Sequence, residues 1–172
     1  MKLPTKIETN RLRIFPMSEK YIEDVYRGLT IKNTEFMRIV VSDNITRTRQ
    51  WYESISKEMK DGSDFTIAIT NKKTGEFIGG GGLHHIDNPA PTISIWIKES
   101  VHGNGYGKEA VEAIIAWAES NLKYDYLIYP VAVRNIASCK IAESIGGKLY
   151  KKFYVKNGVN KRMLAAEYRI YR

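Results

Sequence analysis

Ile95-Trp-Ile-Lys-Glu-Ser-Val-His-Gly-Asn-Gly-Tyr-Gly-Lys-Glu-Ala110 decides how the rest of the chain is read. It joins a strand to a helix. From Pro91 to Lys98, Ile93, Ile95 and Ile97 alternate with Thr92, Ser94 and Trp96, which is the period of a strand. Beyond the glycines, Val111, Ile114, Ile115, Ala118 and Leu122 recur at the spacing of one helix face. Gly103, Gly105 and Gly107 alternate at the junction, and without Cβ atoms the backbone there can turn successive N–H groups toward one point. That point lies at the positive end of a helix macrodipole, so the junction reads as an anion site, most simply a phosphate site. Lys108 sits in the first helical turn, where the dipole disfavours a cation unless an anion lies beside it; Glu109 carries the favoured sign.

Spacing narrows the ligand. A Walker A loop needs four residues between its first glycine and the Gly-Lys pair; here the interval is one residue short, and Glu109 replaces the hydroxyl. A dinucleotide fingerprint needs a third glycine where Lys108 stands, and it belongs to an early βαβ unit. This turn instead follows about three strand-like runs joined by short turns.

A third cradle fits. His102-Gly103-Asn104-Gly105-Tyr106-Gly107 resembles the pyrophosphate-binding Q/R-x-x-G-x-G/A loop of the GNAT N-acetyltransferases, with His102 at the usual Gln or Arg. The wider H-G-N-G-Y-G-K-E-A string is similar to the W-G-x-G-Y-A-x-E-A of the RimJ/RimL-type branch. A second block, Asn135 to Gly147, is similar to that branch's N-x-x-S-x-[KR]-x-x-E-x-x-G-F at Asn135, Ser138, Lys140, Glu143 and Gly146, with Gly147 in place of the Phe. Ile7 to Ile14 resembles the branch's first strand.

The resemblance implies an α/β, three-layer GNAT-type fold with one mixed, mostly antiparallel sheet of about seven strands and about four helices, in a single domain spanning residues 1–172. It implies acetyl-CoA as co-substrate, lying where two strands splay apart. Backbone near Trp96 and Ile97 would hold the pantetheine. His102, Gly103, Asn104, Gly105, Tyr106, Gly107 and Lys108 would hold the pyrophosphate, with Asn135, Ser138 and Lys140 contributing from the second block.

Acetyl transfer to an amine requires a deprotonated amine, a stabilised oxyanion and a proton for the departing thiolate. Backbone N–H groups of the splayed strand suit the oxyanion. The family's usual Glu base aligns with Thr92, so the base is expected at His84 or His85, which a strand would point to opposite faces. The family's usual Tyr acid aligns with Ala142. Ser138 is then the expected partner of the thiolate, with Tyr150 and Tyr154 as further candidates. The resemblance makes Phe36, Met37, Trp51 and Tyr52 candidate walls of the acceptor pocket, in an N-terminal helical pair. The acceptor is read as a primary amine, a peptide N-terminus or a small molecule, with a ribosomal protein among the candidates. The other reading is a non-catalytic domain that binds acyl-CoA or RNA.

Composition sets the outer limits. At 172 residues the chain is large enough for one proper core. No apolar run approaches the roughly 20 residues of a membrane span, and Met1 to Lys6 has no apolar leader core. The single Cys139 allows no internal disulfide and suits a reducing cytoplasm; the protein is expected to be a monomer or homodimer. No cluster has metal-ligand spacing. The net charge of +8 favours polyanionic contacts, although no block rich in Lys and Arg stands out.

The remaining elements follow from pattern. Arg11 to Phe15 reads as a strand, Ser18 as the cap of a helix carrying Ile22, Val25 and Leu29, and Thr46 to Lys60 as a second helix. Phe65 to Ile69 and Phe77 to Ile86 read as strands. The four consecutive glycines Gly79 to Gly82 mark either a bulge or room for a ligand. Leu127 to Val133 reads as a buried strand, Asn135 as a helix N-cap, and Leu149 to Tyr168 as a hairpin turning at Asn157-Gly158.

Overall fold

The strand expected between Pro91 and Lys98 forms over Thr92–Ile97 and stands near the middle of one sheet. A computed structural model describes residues 3–32 and 34–172, so Met1 and Lys2 of the N-terminal segment lie outside the described residues. In chain order the elements are β1 (Ile7–Glu8), β2 (Leu12–Pro16), α1 (Ile22–Gly28), α2 (Ile45–Asp61), β3 (Asp64–Asn71), β4 (Phe77–His84) and β5 (Thr92–Ile97). There follow α3 (Tyr106–Asn121), β6 (Tyr126–Ala132), α4 (Ile136–Ser144), β7 (Lys148–Lys156) and β8 (Arg162–Tyr171). The two-residue β1 brings the sheet to eight strands, ordered β1-β2-β3-β4-β5-β6-β8-β7. Every neighbouring pair is antiparallel except β5 and β6.

Strand alternation divides the core into two layers. Phe65, Ile67 and Ile69 of β3 face Val111, Ile114 and Ala118 of α3 and Ala142 of α4; Ala68 faces the other way, with Val25 and Ile55 of α1 and α2. Ile93, Ile114 and Leu127 are fully buried, and each contributes on the order of 1.5–3 kcal/mol. Asn44 caps α2 by accepting the Arg47 N–H at 3.1 Å, and Gly62, at φ 82°, ends it. Ser18 makes no such bond, and its helix opens as a 3₁₀ turn over Glu19–Tyr21.

The parallel pair is the feature that opens a site. β5 and β6 share one register pair, Thr92 with Ile128, reinforced by the Ile128 N–H to the Pro91 carbonyl at 2.8 Å. Past that point the strands splay.

The register slip of β3 and β4 lies between Ile69 and Thr70, before the glycine run rather than within it. A Cβ at Gly79 or Gly81 would lie 2.2 Å from the Trp96 or Ser94 carbonyl oxygen, so the run is needed for close strand approach. The β7–β8 hairpin also differs from expectation. Its connection runs from Asn157 to Lys161, closed by the Asn157 N–H to the Lys161 carbonyl at 2.9 Å, and its left-handed residue is Asn160 at φ 61°. Gly158 serves another purpose: a Cβ there would stand 1.7 Å from the Ile39 carbonyl oxygen, where the hairpin clasps the segment between α1 and α2.

Candidate active site

The glycine junction is built as the sequence suggests, with different duties for its three glycines. Gly103 and Gly105 adopt φ of 79° and 76°, and Gly105 is the N-cap of α3 without a capping side chain. The first intrahelical bond runs from the Glu109 N–H to the Gly105 carbonyl at 3.2 Å. The amides of Tyr106, Gly107 and Lys108 precede it and point out of the helix start. Gly107 is a packing residue instead: its Cβ would meet Ile141 Cδ1 of α4 at 3.3 Å.

Side chains brace this loop. His102 donates through Nε2 to the Ile97 carbonyl at 2.7 Å, tying the loop to the end of β5. The Asn104 amide donates to the Val101 and His102 carbonyls at 3.0 and 3.3 Å. Arg11 donates to the Asn104 carbonyl at 2.9 Å and to Glu109 Oε2 at 2.7 Å, and its guanidinium lies 4.8 Å from the centre of the Tyr106 ring. Thr9 donates to Glu109 Oε1 at 2.5 Å. Burial works against ionisation of Glu109, but the bonds from Thr9 and Arg11 outweigh it and hold the carboxyl below the usual range.

Between the splayed strands lies a cavity of about 410 Å³, walled by β5 and β6, by Phe36, Met37 and Trp51 on one side and by Phe153, Val155 and Met163 on the other. The ladder fixes what faces it. The Lys98 N–H donates to the Ile78 carbonyl at 2.8 Å, so the even-numbered amides of β5, Trp96 included, turn toward β4. The amides of Ile95 and Ile97 turn toward the wedge.

On the α1/α2 side of β5, three polar side chains from three adjacent strands meet. His84 Nδ1 is 2.6 Å from Asp64 Oδ2, and His84 Nε2 is 2.7 Å from Ser94 Oγ. Asp64 is buried and accepts a second bond, from Thr66 Oγ1 at 2.8 Å. A carboxylate only accepts, so in the neutral imidazole Nδ1 carries the proton and Nε2 accepts from the Ser94 hydroxyl. All three line the cavity. Across it, at the start of α4, Asn135 Oδ1 accepts the Ser138 N–H at 3.2 Å, the cap read from the sequence. Ser138 Oγ lies 3.1 Å from the Tyr129 hydroxyl. Burial pushes the Tyr129 phenol above its ordinary value, and the Ser138 bond opposes that only in part.

Several expected residues stand away from the cavity or present a different group to it. Tyr154 lies on the opposite face of β7 from Phe153 and Val155, exposed, with the Arg162 guanidinium 3.7 Å from its ring centre; strand alternation removes it as an acid. Tyr150 is likewise exposed, with Arg169 stacked on it at 3.2 Å. His85 leaves the strand at φ 54° and turns to solvent. Trp96 contributes its indole to the cavity wall and not its amide. Lys108 forms an exposed i,i+4 ion pair with Glu112 at 3.7 Å. Lys140 is exposed on α4 and does not line the cavity. Tyr52 packs in the layer under α1 and α2 instead of lining the cavity. Thr92 sits at the closed end of the wedge.

Asp64, Ser94 and Tyr129 are the residues that sequence reasoning missed. Ser94 and Tyr129 stood in strands read only for their apolar partners, and Asp64 precedes the first apolar residue of β3. Cys139 is partly buried; burial raises its thiol above the ordinary range, and its Sγ lies 3.8 and 3.9 Å from the Ala132 and Val133 carbonyl oxygens. Among the described residues no group of His, Cys, Asp and Glu is arranged to hold a metal ion, and no helix is long and apolar enough to cross a membrane.

Residues 11–148 match the model of the acetyltransferase (GNAT) domain family. Protein YkkB of Bacillus subtilis (strain 168) is 26% identical over 150 residues, covering 85% of this chain and 87% of that protein. The N-acetyltransferase p20 of Bacillus licheniformis is 25% identical over 114 residues, covering 65% of this chain and 64% of its own length. Among solved structures, the microcin C7 self-immunity acetyltransferase MccE in complex with acetyl-CoA and AMP superposes with a TM-score of 0.86 at 17% identity, covering 99% of this chain and 98% of that one. RimL, the ribosomal L7/L12 alpha-N-protein acetyltransferase, in complex with coenzyme A gives 0.83 at 16% identity, covering 96% and 97%. Those TM-scores establish a shared fold.

Proposed function

The chain belongs to the GNAT acetyltransferase family, and from that premise we propose that it moves an acetyl group from acetyl-CoA directly to a primary amine, a protein N-terminal amine or a small amine. The observation that carries the proposal is the β5/β6 wedge, with an anion cradle at one end and the Asp64–His84–Ser94 cluster in the cavity beside it.

The residues fit the co-substrate. The amides of Tyr106, Gly107 and Lys108 suit a pyrophosphate at the start of α3. The wedge-facing amides of Ile95 and Ile97 suit an amide-bearing arm laid along β5 and a carbonyl at its tip. Acetyl-CoA supplies a thioester carbonyl activated for attack. His84 withdraws the ammonium proton through an intervening hydroxyl or water, a contribution on the order of 10²–10⁴-fold. A backbone N–H of β5 steadies the oxyanion as the C–N bond forms, worth on the order of 10²–10³-fold. As the C–S bond breaks, Ser138 gives its proton to the sulfur and takes one from Tyr129, whose phenolate recovers a proton from water as product leaves, because burial favours the neutral phenol.

The likeness to MccE and RimL supports acetyl-CoA use, and RimL brings a ribosomal protein N-terminus into the acceptor panel. Calorimetric titration with acetyl-CoA comes first. Micromolar binding, followed by thiol release with N-terminal peptides or small amines, is the expected result. Absence of binding would overturn the reading and leave a domain that uses the fold for another partner.

A further inference from the structure

Both ring nitrogens of His84 are already engaged, Nδ1 by Asp64 at 2.6 Å and Nε2 by Ser94 at 2.7 Å. No ring nitrogen remains for a substrate. Ser94 Oγ, having donated its hydrogen, keeps lone pairs for an incoming donor. It also belongs to the residue next to Ile95, whose amide faces the wedge. Hydroxyl and amide therefore flank the place where an amine would meet a carbonyl.

We propose that Ser94, His84 and Asp64 form one proton relay in which Ser94 Oγ takes the proton of the acceptor ammonium while passing its own to His84 Nε2. The proposal rests on the amine-acetylation reading of the same wedge. The balance is simple: one N–H bond of the ammonium breaks and an O–H bond forms on Ser94, while the earlier O–H bond breaks and an N–H bond forms on His84. Asp64 keeps its charge and stabilises the imidazolium. In this scheme Ser94 is the catalytic residue that touches substrate, His84 the base behind it, and Asp64 a positioning residue.

The fold commits several features to this cluster. Asp64 is held from its other oxygen by Thr66 at 2.8 Å. Gly82, which pairs with Ser94 across the β4–β5 ladder, leaves the space that the His84 ring occupies. The other ionisable side chains lining the cavity are Glu58 of α2, Arg38 of the preceding segment and Tyr129 of β6.

Two measurements test the relay. The chain has three histidines, so nitrogen NMR of the free protein can assign the His84 tautomer. A neutral ring protonated at Nδ1 is expected, with that preference kept in Ser94→Ala and lost in Asp64→Asn; a ring protonated at Nε2 would overturn the relay without any turnover being measured. In kinetics with the best amine, Ser94→Ala and His84→Gln should each lose about 10²-fold or more in kcat, and the double variant should lose no more than the worse single one. Ser94→Thr should recover part of the loss. Asp64→Asn should lower kcat, because the imidazolium loses its counter-charge. Full rate in Ser94→Ala beside an impaired His84→Gln would sink the proposal. So would one acetyl group on Ser94 after acetyl-CoA alone, which would make it a nucleophile. Failure to bind acetyl-CoA or to acetylate any amine would fall on the functional reading, and the tautomer would still judge the relay.

Discussion

A Cβ on Gly82 would stand 2.8 Å from Cε1 of His84 and 2.9 Å from the Phe65 carbonyl oxygen. The missing side chain is therefore part of the site: the imidazole lies across a strand that offers it no methyl group. Gly80 does the same for Trp96, whose Nε1 lies 3.1 Å from the position of a Cβ there. Gly82→Ala should displace the ring from Asp64 and Ser94. Overpacking of this kind costs about 1–3 kcal/mol of stability, and misplacement of a catalytic group by an ångström costs on the order of 10²-fold in rate. Acetyl-CoA affinity should hold, since the cradle is far along the strand. Calorimetry and kcat measured on one preparation check both halves.

The cradle makes a different demand. Gly105 sits at φ 76° with Arg11 Nη2 3.5 Å from where a Cβ would project. Gly105→Glu would force a left-handed conformation on a side chain, at about 1–2 kcal/mol, and place an anion beside amides meant for one. Loss of detectable acetyl-CoA binding is the expected result, with the far-ultraviolet spectrum kept. Unchanged affinity would remove the anion-site assignment.

Arg11 and Glu109 tie the β1–β2 turn to the first turn of α3, with Nε and Nη2 both 2.7 Å from Oε2. The carboxyl of Glu109 lies below its ordinary range in the folded chain, so the folded state binds its proton less readily than the unfolded one. The stability it contributes is thus present above the ordinary carboxylate range and is lost as pH falls through that range toward the folded value. Thermal unfolding at neutral pH and near pH 4 should show a smaller acid-induced drop in Tm for Glu109→Gln than for the parent chain. Equal drops would mean that the tether carries no linked proton.

Period and punctuation made the fold legible. The order of strands and helices follows from alternation in β5, the helix face of α3 and the Asn44 and Asn135 caps, with only the two-residue β1 unexpected. The shape of the cradle was legible because it lies in backbone, which glycine spacing reports. Of the proposed proton-transfer groups, His84 and Ser138 were legible in the sequence, but Asp64, Ser94 and Tyr129 were not. Asp64, His84 and Ser94 are separated in sequence and meet only through the registers of β3, β4 and β5, which pair Asp64 with His84 and set Ser94 two residues along from Thr92, the partner of His84. Tyr154 failed for the complementary reason: a strand was recognised, but the face it presents to the cavity depends on pairing with β8.

Tyr129 offers the last test, because its proposed role in catalysis and its effect on stability against pH can be read from one substitution. Its ring is almost fully buried and its hydroxyl sits 3.1 Å from Ser138 Oγ. Tyr129→Phe removes the proton that resupplies Ser138 while keeping the ring's packing. Loss of about 10²-fold in kcat with little change in KM is expected, and Ser138→Ala added to it should cost little more if the two act in series. The same burial raises the phenol above its ordinary value of 10. The unfolded chain then ionises first as pH rises, so stability is full below the ordinary phenol range and declines above it. Tyr129→Phe should flatten the fall in Tm between about pH 9 and pH 11. A variant with full activity would remove Tyr129 from the chemistry, and an unflattened alkaline limb would show that other tyrosines govern it.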